Sequence, residues 1–598
     1  MLTLHGFLLG WAAYRHSPTF DEVAYLPAGI SHWELGRFDL ASVSPPLVRL
    51  VAAIPVTMTN AKTEWWSYDT SPSPAAAHAV GRDFAMVNGE RTFWLFTIAR
   101  WACIPFSLIG GYVCWAWGRD LYGVPSGLLA VILWCFSPNI LAHAQLVTPD
   151  VGTTALGVAS TYTFWRWLKQ PSWARASLAG LTLGFAQLTK STLVIFFVIW
   201  PLLWLVDRLL RRQSLPRREG MQLALLLVLG VYILNLGYGF QGSFNRLDSY
   251  QFVSRTLTGT LPEGVTTGNR FTEWGLGFVP VPLPRNYLLG VDYQKKELEN
   301  RGQRQRSYLH GQWRDHGWWY YYLYAMAIKV PVGTWLLAAL ACAVRLHTRT
   351  HVPQWVDELV LIVPLLAILV LVSSQTGFNH HMRYALPAFP YFFIWISQAG
   401  RAFLLAMSKL RMAVAVAMTL SVGSSLWVYP HSLSYFNELV GGPLGGPAHL
   451  IDSNIDWGQD LLYLRDWLQA HPEAQPMRIA YFGNISPEIA GMPIETPPGG
   501  GPTKAGETDF TVPPEKGETP CDYGPHPGWF AVSVNHLQGV TWNIGADYRY
   551  FRRFTPMARA GYSIMIYHIT VEQADEVRSD LGLPLLSDCQ GQADADIE

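Results

Sequence analysis

Two adjacent carboxylates stand in Ser17-Pro18-Thr19-Phe20-Asp21-Glu22, directly after the first apolar stretch of the chain. At a membrane surface such a pair suits deprotonation of an alcohol: one carboxylate receives the proton while its neighbour orients it or a substrate hydroxyl. The same residues equally suit a helix start, where Asp caps well and Glu is favoured in the first turn. The loop runs on through Gly36-Arg37-Phe38-Asp39 to Ser44-Pro45-Pro46-Leu47.

The second signal is charge inside apolar runs. Arg100 lies within 93–117, Lys329 within 318–344, Lys190 at a turn between two short runs, and Arg383 at the start of 384–400. Charges at such depth are costly and face a cavity or a partner. Several cations converging on one leaflet would hold a lipid phosphate, Arg with two parallel hydrogen bonds. Snorkelling accounts for Arg383 and Lys190 as well as a site does, and for Arg100 and Lys329 less easily. Asp150 follows His143 and Thr148-Pro149 at the end of another run, where a helix cap and a site role are both open. Asn379-His380-His381 resembles a metal site only loosely, because no Cys or fixed acid spacing accompanies it. The aromatic run 318–322 reads as an interfacial belt. Walker A, Gly-x-Ser-x-Gly and His-Glu-x-x-His motifs are missing.

Positioning these groups falls to membrane helices. Only 14% of the 598 residues are charged and 50% are hydrophobic, which excludes disordered and fibrous chains. The 43 basic and 43 acidic residues balance, leaving no excess for nucleic acid. A span needs about 20 apolar residues. Runs of that kind occur at 93–117, 122–141, 151–168, 174–189, 191–206, 220–238, 318–344, 357–374, 384–400 and 412–430, with a shorter one at 1–14. These predict about eleven transmembrane helices, with a true start upstream left open. No cleavable signal peptide is visible at the start. Basic residues gather in alternate loops: Arg119; Arg166, Lys169 and Arg175; Arg208, Arg211, Arg212, Arg217 and Arg218; Arg345 and Arg349; Arg401, Lys409 and Arg411. The positive-inside rule puts those loops in the cytoplasm. Loops 15–92 and 239–317, and everything after 431, then lie outside.

The part after 431 changes texture. A helix at 459–469, β-like runs at 477–482, 529–534 and 563–569, and a Pro/Gly/Thr-rich loop at 492–526 predict a small α/β domain. Four of six Cys sit in apolar runs, while Cys521 and Cys589 would pair only in an oxidising compartment.

Phe20-Asp21-Glu22 after a first span, then Phe38-Asp39, Pro45-Pro46-Leu47 and Ala99-Arg100, resemble the glycosyltransferase C superfamily. The likeness is to protein O-mannosyltransferases and the lipid A aminoarabinose transferase branch. Thr148-Pro149-Asp150, Leu188-Thr189-Lys190, Lys329-Val330-Pro331 and Arg383-Tyr384 extend it to about residue 400. The resemblance implies a polytopic α-helical membrane protein with a catalytic domain at 1–430 and an extracytoplasmic α/β domain at 431–598. It implies inverting transfer of a sugar from a polyprenyl-phosphate donor to a hydroxyl of a glycan, lipid or protein, at the outer face of a bacterial inner membrane. Asp21 would be the base, Glu22 and Asp150 accessory carboxylates, and Arg100, Lys190 and Arg383 phosphate binders. Lys329, Arg37 and His143 join them as substrate-binding candidates. The chemistry requires no cofactor, and divalent-metal use stays open. Ser44 stands where those branches carry His or Lys before the Pro pair, and 239–317 shows no β-trefoil-like insertion. The motif Asp452-Ser453-Asn454-Ile455-Asp456-Trp457-Gly458-Gln459-Asp460 looks like that of bacterial members with an extra outer domain, and suits acceptor contact or an Asx-rich turn. The competing reading is a transporter or flippase of lipid-linked sugars; such proteins commonly show two related halves, and none is apparent.

Overall fold

The structure is a computed structural model that describes residues 1–65, 67–68, 74–262, 264–272, 275–299, 306–347, 355–374, 377, 379–405, 408–504, 506–514 and 517–589. Its first part is helical: α1 (Leu2–Arg15), α2 (Glu22–Leu35), α3 (Leu47–Thr57), α4 (Pro74–Asn88), α5 (Arg91–Tyr122), α6 (Val124–Cys135), α7 (Pro138–Ala144), α8 (Pro149–Lys169), α9 (Trp173–Gln187), α10 (Phe196–Leu210) and α11 (Arg217–Gly237). The chain is a polytopic α-helical membrane protein with a small C-terminal sheet region.

Among the described residues, five helical stretches are long and apolar enough to cross a membrane: Arg91–Tyr122, Ser191–Leu210, Arg217–Gly237, Val356–Ser374 and Ser408–Val428. Two bent pairs raise this to seven: α6 with α7 at 57°, and Tyr321–Lys329 with Val332–Leu346 at 103°. The remaining predicted runs miss that length-and-composition measure for identifiable reasons. Helix α1 has 14 residues and α9 has 15, lengths of about 21–23 Å at 1.5 Å per residue, short of a ~30 Å core. Helix α8 is long enough, but it is rich in Thr, Ser and Gly and buried along nearly its whole length. Small residues of this kind serve contact between helices rather than contact with lipid. The run 384–400 breaks into a 3-10 turn (Met382–Ala388), an α-helix (Phe389–Ile396) and a second 3-10 turn (Ser397–Phe403).

The basic loops meet at one end. Lys169 and Arg211 both reach Asp357, at 3.0 and 3.4 Å, Arg208 holds Glu219 at 2.9 Å, and Arg345 pairs with Glu358. Arg349 lies outside the described residues. At the other end, α2, α3 and α4 of the first long loop pack closely. A Cβ at Gly81 would fall 1.9 Å from the Val23 carbonyl oxygen, and one at Gly29 would fall 2.2 Å from that of Arg49. These contacts fix the helix that Asp21 and Glu22 begin.

The second loop holds a helix at Arg285–Glu299 and a two-stranded antiparallel ribbon, β1 (Ser307–Leu309) and β2 (Gln312–Arg314). The C-terminal part has helix Leu461–Ala470, then β3 (Met477–Ala480), β4 (Gly528–Ser533), β5 (Ala558–Ala560) and β6 (Ile564–Ile569), closed by helix Val571–Leu581. Sheet order is β3-β4-β6-β5, with β3 parallel to β4 and the other neighbours antiparallel. Each of the three β-like runs overlaps a strand, and β5 falls in none of them. Cys521 and Cys589 are disulfide-bonded.

Candidate active site

Asp21 occupies the N-cap position of α2, yet its side chain makes no capping hydrogen bond. Its carboxylate instead accepts from the Arg383 guanidinium at 2.8 Å. Asp150 lies in the first turn of α8, behind Thr148-Pro149, whose fixed backbone suits a helix start. Its two oxygens accept from Lys190 Nζ at 3.0 Å and from a second Arg383 nitrogen at 3.2 Å. Lys190 comes from the break between α9 and α10, and Arg383 from the 3-10 turn before Phe389. Four segments of the chain therefore contribute one alternating row: Asp21, Arg383, Asp150, Lys190.

Exposure separates the two acids. The Asp150 side chain is 0% exposed, Arg383 6%, Lys190 10% and Asp21 24%. Asp150 is sealed against both cations, whereas Asp21 is the more accessible of the two carboxylates. The cations are further set by rings. Trp457 lies 4.2 Å from the Arg383 guanidinium, and Tyr384 lies 4.6 Å from Lys190 Nζ. Arg383 Nε is buried without a hydrogen-bond partner among the described residues.

Glu22 and Arg100 form a separate, sealed pair. Arg100 donates to both Glu22 oxygens, at 2.8 and 2.6 Å, and spends its other N–H groups on the carbonyls of Ala13, His16 and Ser17. In this arrangement no donor of Arg100 is left for a phosphate. Glu22 also accepts from Thr19 N, Thr19 Oγ1 and Val147 N. Burial pushes the Glu22 carboxyl up; Arg100 and these N–H groups outweigh it and hold the group below its ordinary value. The pair ties the 13–22 segment and the 143–150 turn to α5.

The other candidates are spread around this row. His143 packs near Trp457, ring centroids 6.3 Å apart, with Nδ1 buried and without a hydrogen-bond partner among the described residues. Lys329 donates to the carbonyls of Leu433 and Asn454 and faces the Phe436 ring at 4.6 Å. Arg37 pairs with Asp39 at 2.5 Å and stacks on Tyr68, without a contact to the row. His380 and His381 both face Asp452, at 3.6 and 3.4 Å, and His381 also meets Ser453 Oγ.

The tail motif proves to be part of the site wall. Trp457 O accepts from Phe20 N at 2.9 Å, Gln459 O from Ser17 N at 3.0 Å, and Gly458 O from Ser17 Oγ at 2.7 Å. Asn454 Oδ1 accepts from Met382 N, the residue beside Arg383. The motif thus clamps the loop that carries Asp21 and the turn that carries Arg383. Trp457 is the site residue that sequence reasoning did not single out. Its signal was a Trp inside an acid-rich, turn-forming motif. Arg49 was missed as well; buried in α3, it donates to His32 and to the carbonyls of Ala41 and Ser44, bracing the loop before the Pro pair.

Residues 91–236, from α5 almost to the end of α11, match the family model described as dolichyl-phosphate-mannose-protein mannosyltransferase. This match supports the glycosyltransferase C likeness in the segment that holds Arg100, His143, Asp150 and Lys190. Two crystal structures of ArnT from Cupriavidus metallidurans, one bound to undecaprenyl phosphate and one in the apo state, are similar at 12% identity. They align over 94% of this chain and 96% of theirs, with TM-scores of 0.44 and 0.41. No curated protein matches the chain.

Proposed function

We propose that the chain transfers a sugar, with inversion, from a polyprenyl-phosphate donor to a hydroxyl acceptor at the extracytoplasmic face of a bacterial inner membrane. The observation that carries this reading is the row itself: one accessible carboxylate beside two cations that a buried carboxylate holds in place. Asp21 receives the acceptor's hydroxyl proton as that oxygen attacks the anomeric carbon. The carbon–oxygen bond to phosphate breaks, and the polyprenyl phosphate leaves with the bonding pair. Arg383 and Lys190 stabilise the charge that develops on it, so no general acid is needed. Asp150 positions those two cations. Glu22 and Arg100 position the Asp21 loop, and Trp457 sets the plane of Arg383. The outer placement follows from the positive-inside rule, since the ion-paired basic loops gather at the opposite end. Residues 1–430 act as the catalytic domain and 431–598 as an outer domain against the site.

The test is mass spectrometry of lipid-linked sugars and outer glycoconjugates with and without the gene. Loss should raise one polyprenyl-phosphate sugar and remove that sugar from an outer glycoconjugate. Purified protein in vesicles should transfer it without moving the donor across the bilayer. Unchanged pools in both fractions overturn the proposal, and donor translocation without transfer selects a flippase.

A further inference from the structure

A second cluster of ligand-type side chains lies behind the loop that carries Asp21, and the proposed reaction does not use it. His16 follows the last residue of α1, His431 follows the last membrane helix, and Asp460 ends the tail motif. One ligand atom from each of His16, His431 and Asp460 lies within 4.8 Å of the others. Asp460 Oδ1 is 3.1 Å from His431 Nδ1 and 3.9 Å from His16 Nε2. A tetrahedral centre with bonds of about 2.0–2.1 Å sets its ligands roughly 3.3 Å apart, so only modest closure is required.

The independent observation is His16. Its side chain is 2% exposed, and Nε2 has no hydrogen-bond partner among the described residues. Nδ1 is bonded to the Ala12 carbonyl at 2.9 Å. A carbonyl oxygen only accepts, so the proton sits on Nδ1 and the Nε2 lone pair is turned toward Asp460 and His431. A backbone carbonyl that fixes the tautomer and frees the other nitrogen is the usual support of a metal-bound imidazole. Asp460 is oriented in the same manner: its other oxygen accepts from Tyr562 N, Ser563 N and Ser563 Oγ, leaving Oδ1 toward the cluster. Tyr463 walls the site, its ring 5.5 Å from that of His16 and 4.5 Å from that of His431.

We infer that His16, His431 and Asp460 form a binding site for one divalent cation of the zinc class, joining the outer end of α1, the exit of the last membrane helix and the tail motif. Two imidazoles and one carboxylate suit Zn2+ and its neighbours over Mg2+ or Ca2+, which prefer oxygen alone. The ion is a positioning element. Ser17, adjacent to His16, donates to Gln459 O and Gly458 O, and Leu461 N donates back to Ser17 Oγ. Metal binding would lock the same seam from which the Asp21 loop starts. This inference does not rest on the proposed reaction.

The test uses full-length protein in detergent, any histidine tag removed, stripped with a chelator and titrated with Co2+ and then Zn2+. The expected result is one metal per chain, visible d–d absorption of four-coordinate Co2+ that Zn2+ displaces, and a rise in thermal midpoint on loading. His16→Ala and His431→Gln should each remove the stoichiometric absorption and the thermal response while eluting as monodisperse protein. His381→Ala, at the Asp452 cluster, should retain both. No stoichiometric metal in the wild-type protein overturns the inference, without reliance on any variant. So does Co2+ absorption that survives His16→Ala and His431→Gln but vanishes in His381→Ala.

Discussion

Asp21→Asn is the sharpest probe of the proposed chemistry. The amide keeps the size of the carboxylate but cannot accept a proton at neutral pH. Loss of a general base typically slows reaction by about 10²–10⁴-fold. The structure adds a second effect of opposite sign. Asp21 occupies one Arg383 nitrogen at 2.8 Å, so a donor phosphate must compete with it for that nitrogen. Two unit charges about 4 Å apart attract by about 1 kcal/mol in water and about 4 kcal/mol at an effective dielectric near 20. With the Asp21 side chain 24% exposed, solvent screening favours the lower figure, about 1 kcal/mol. At roughly 1.4 kcal/mol per factor of ten, donor affinity in Asp21→Asn should rise by up to about fivefold while transfer collapses. Single-turnover transfer from a defined polyprenyl-phosphate sugar, beside a donor titration, separates the two. Transfer near the wild-type rate would refute the base assignment and turn attention to Asp150. Loss of donor binding together with rate would place Asp21 in sugar recognition.

Arg100→Met should destabilise the protein, because breaking a buried ion pair from one side costs about 3–5 kcal/mol; thermal unfolding in detergent measures it, and a stable variant that merely loses donor affinity would reassign Arg100 to the phosphate. Trp457→Ala should weaken donor binding by about 2–30-fold, the equivalent of a cation–π contact of about 0.5–2 kcal/mol, and, because Trp457 is buried, lower stability by about 3–5 kcal/mol; an unchanged donor titration in the folded variant would leave Trp457 as packing alone. Val265→Cys should react with an impermeant thiol reagent from outside the cell and Gln213→Cys should not, and the reverse pattern would put the site on the wrong side of the membrane for a lipid-linked donor presented outside.

The row of acids and bases was partly legible in the sequence because burial of charge needs a reason. Asp21 stood out with Glu22 as an adjacent carboxylate pair, and Asp150, Lys190 and Arg383 as ionisable groups at the ends of apolar runs; Asp21 joins those three, while Glu22 pairs with Arg100. Arg100 and Lys329 stood out by the same logic and are accounted for differently. Depth says that a cation must have partners, but it cannot say whether those partners are a ligand's oxygens or the protein's own carbonyls. Arg100 has three such carbonyls besides Glu22. Spans are harder to delimit than charges for a related reason. Hydropathy measures transfer to lipid, whereas α8 transfers its Thr-rich surface into protein. Three of the four tail strands were readable because a period of two is local; the three-residue β5 was too short to show one. The place of Trp457 was not, since it depends on a pairing between residues near the start of the chain and residues far along it.

The contrast between the two acid–cation assemblies bears on why the site needs both. In Glu22–Arg100 the donors and acceptors are matched within the protein and the pair is closed to solvent. It therefore has its donors satisfied within the protein and ties the segment before Asp21 to α5. The Asp21–Arg383–Asp150–Lys190 row balances two negative against two positive charges, and its exposed end is Asp21. A donor phosphate entering that row adds a negative charge, and the bond it breaks most readily is the exposed one, between Asp21 and Arg383. In the proposed reaction, donor binding would release that carboxylate oxygen to receive the acceptor's proton. Without donor, the same oxygen stays engaged by Arg383. Under the proposed chemistry this arrangement couples base availability to donor occupancy with no moving part larger than one guanidinium. The buried Asp150 is what makes the exchange local, because it keeps Arg383 and Lys190 in register while Asp21 lets go.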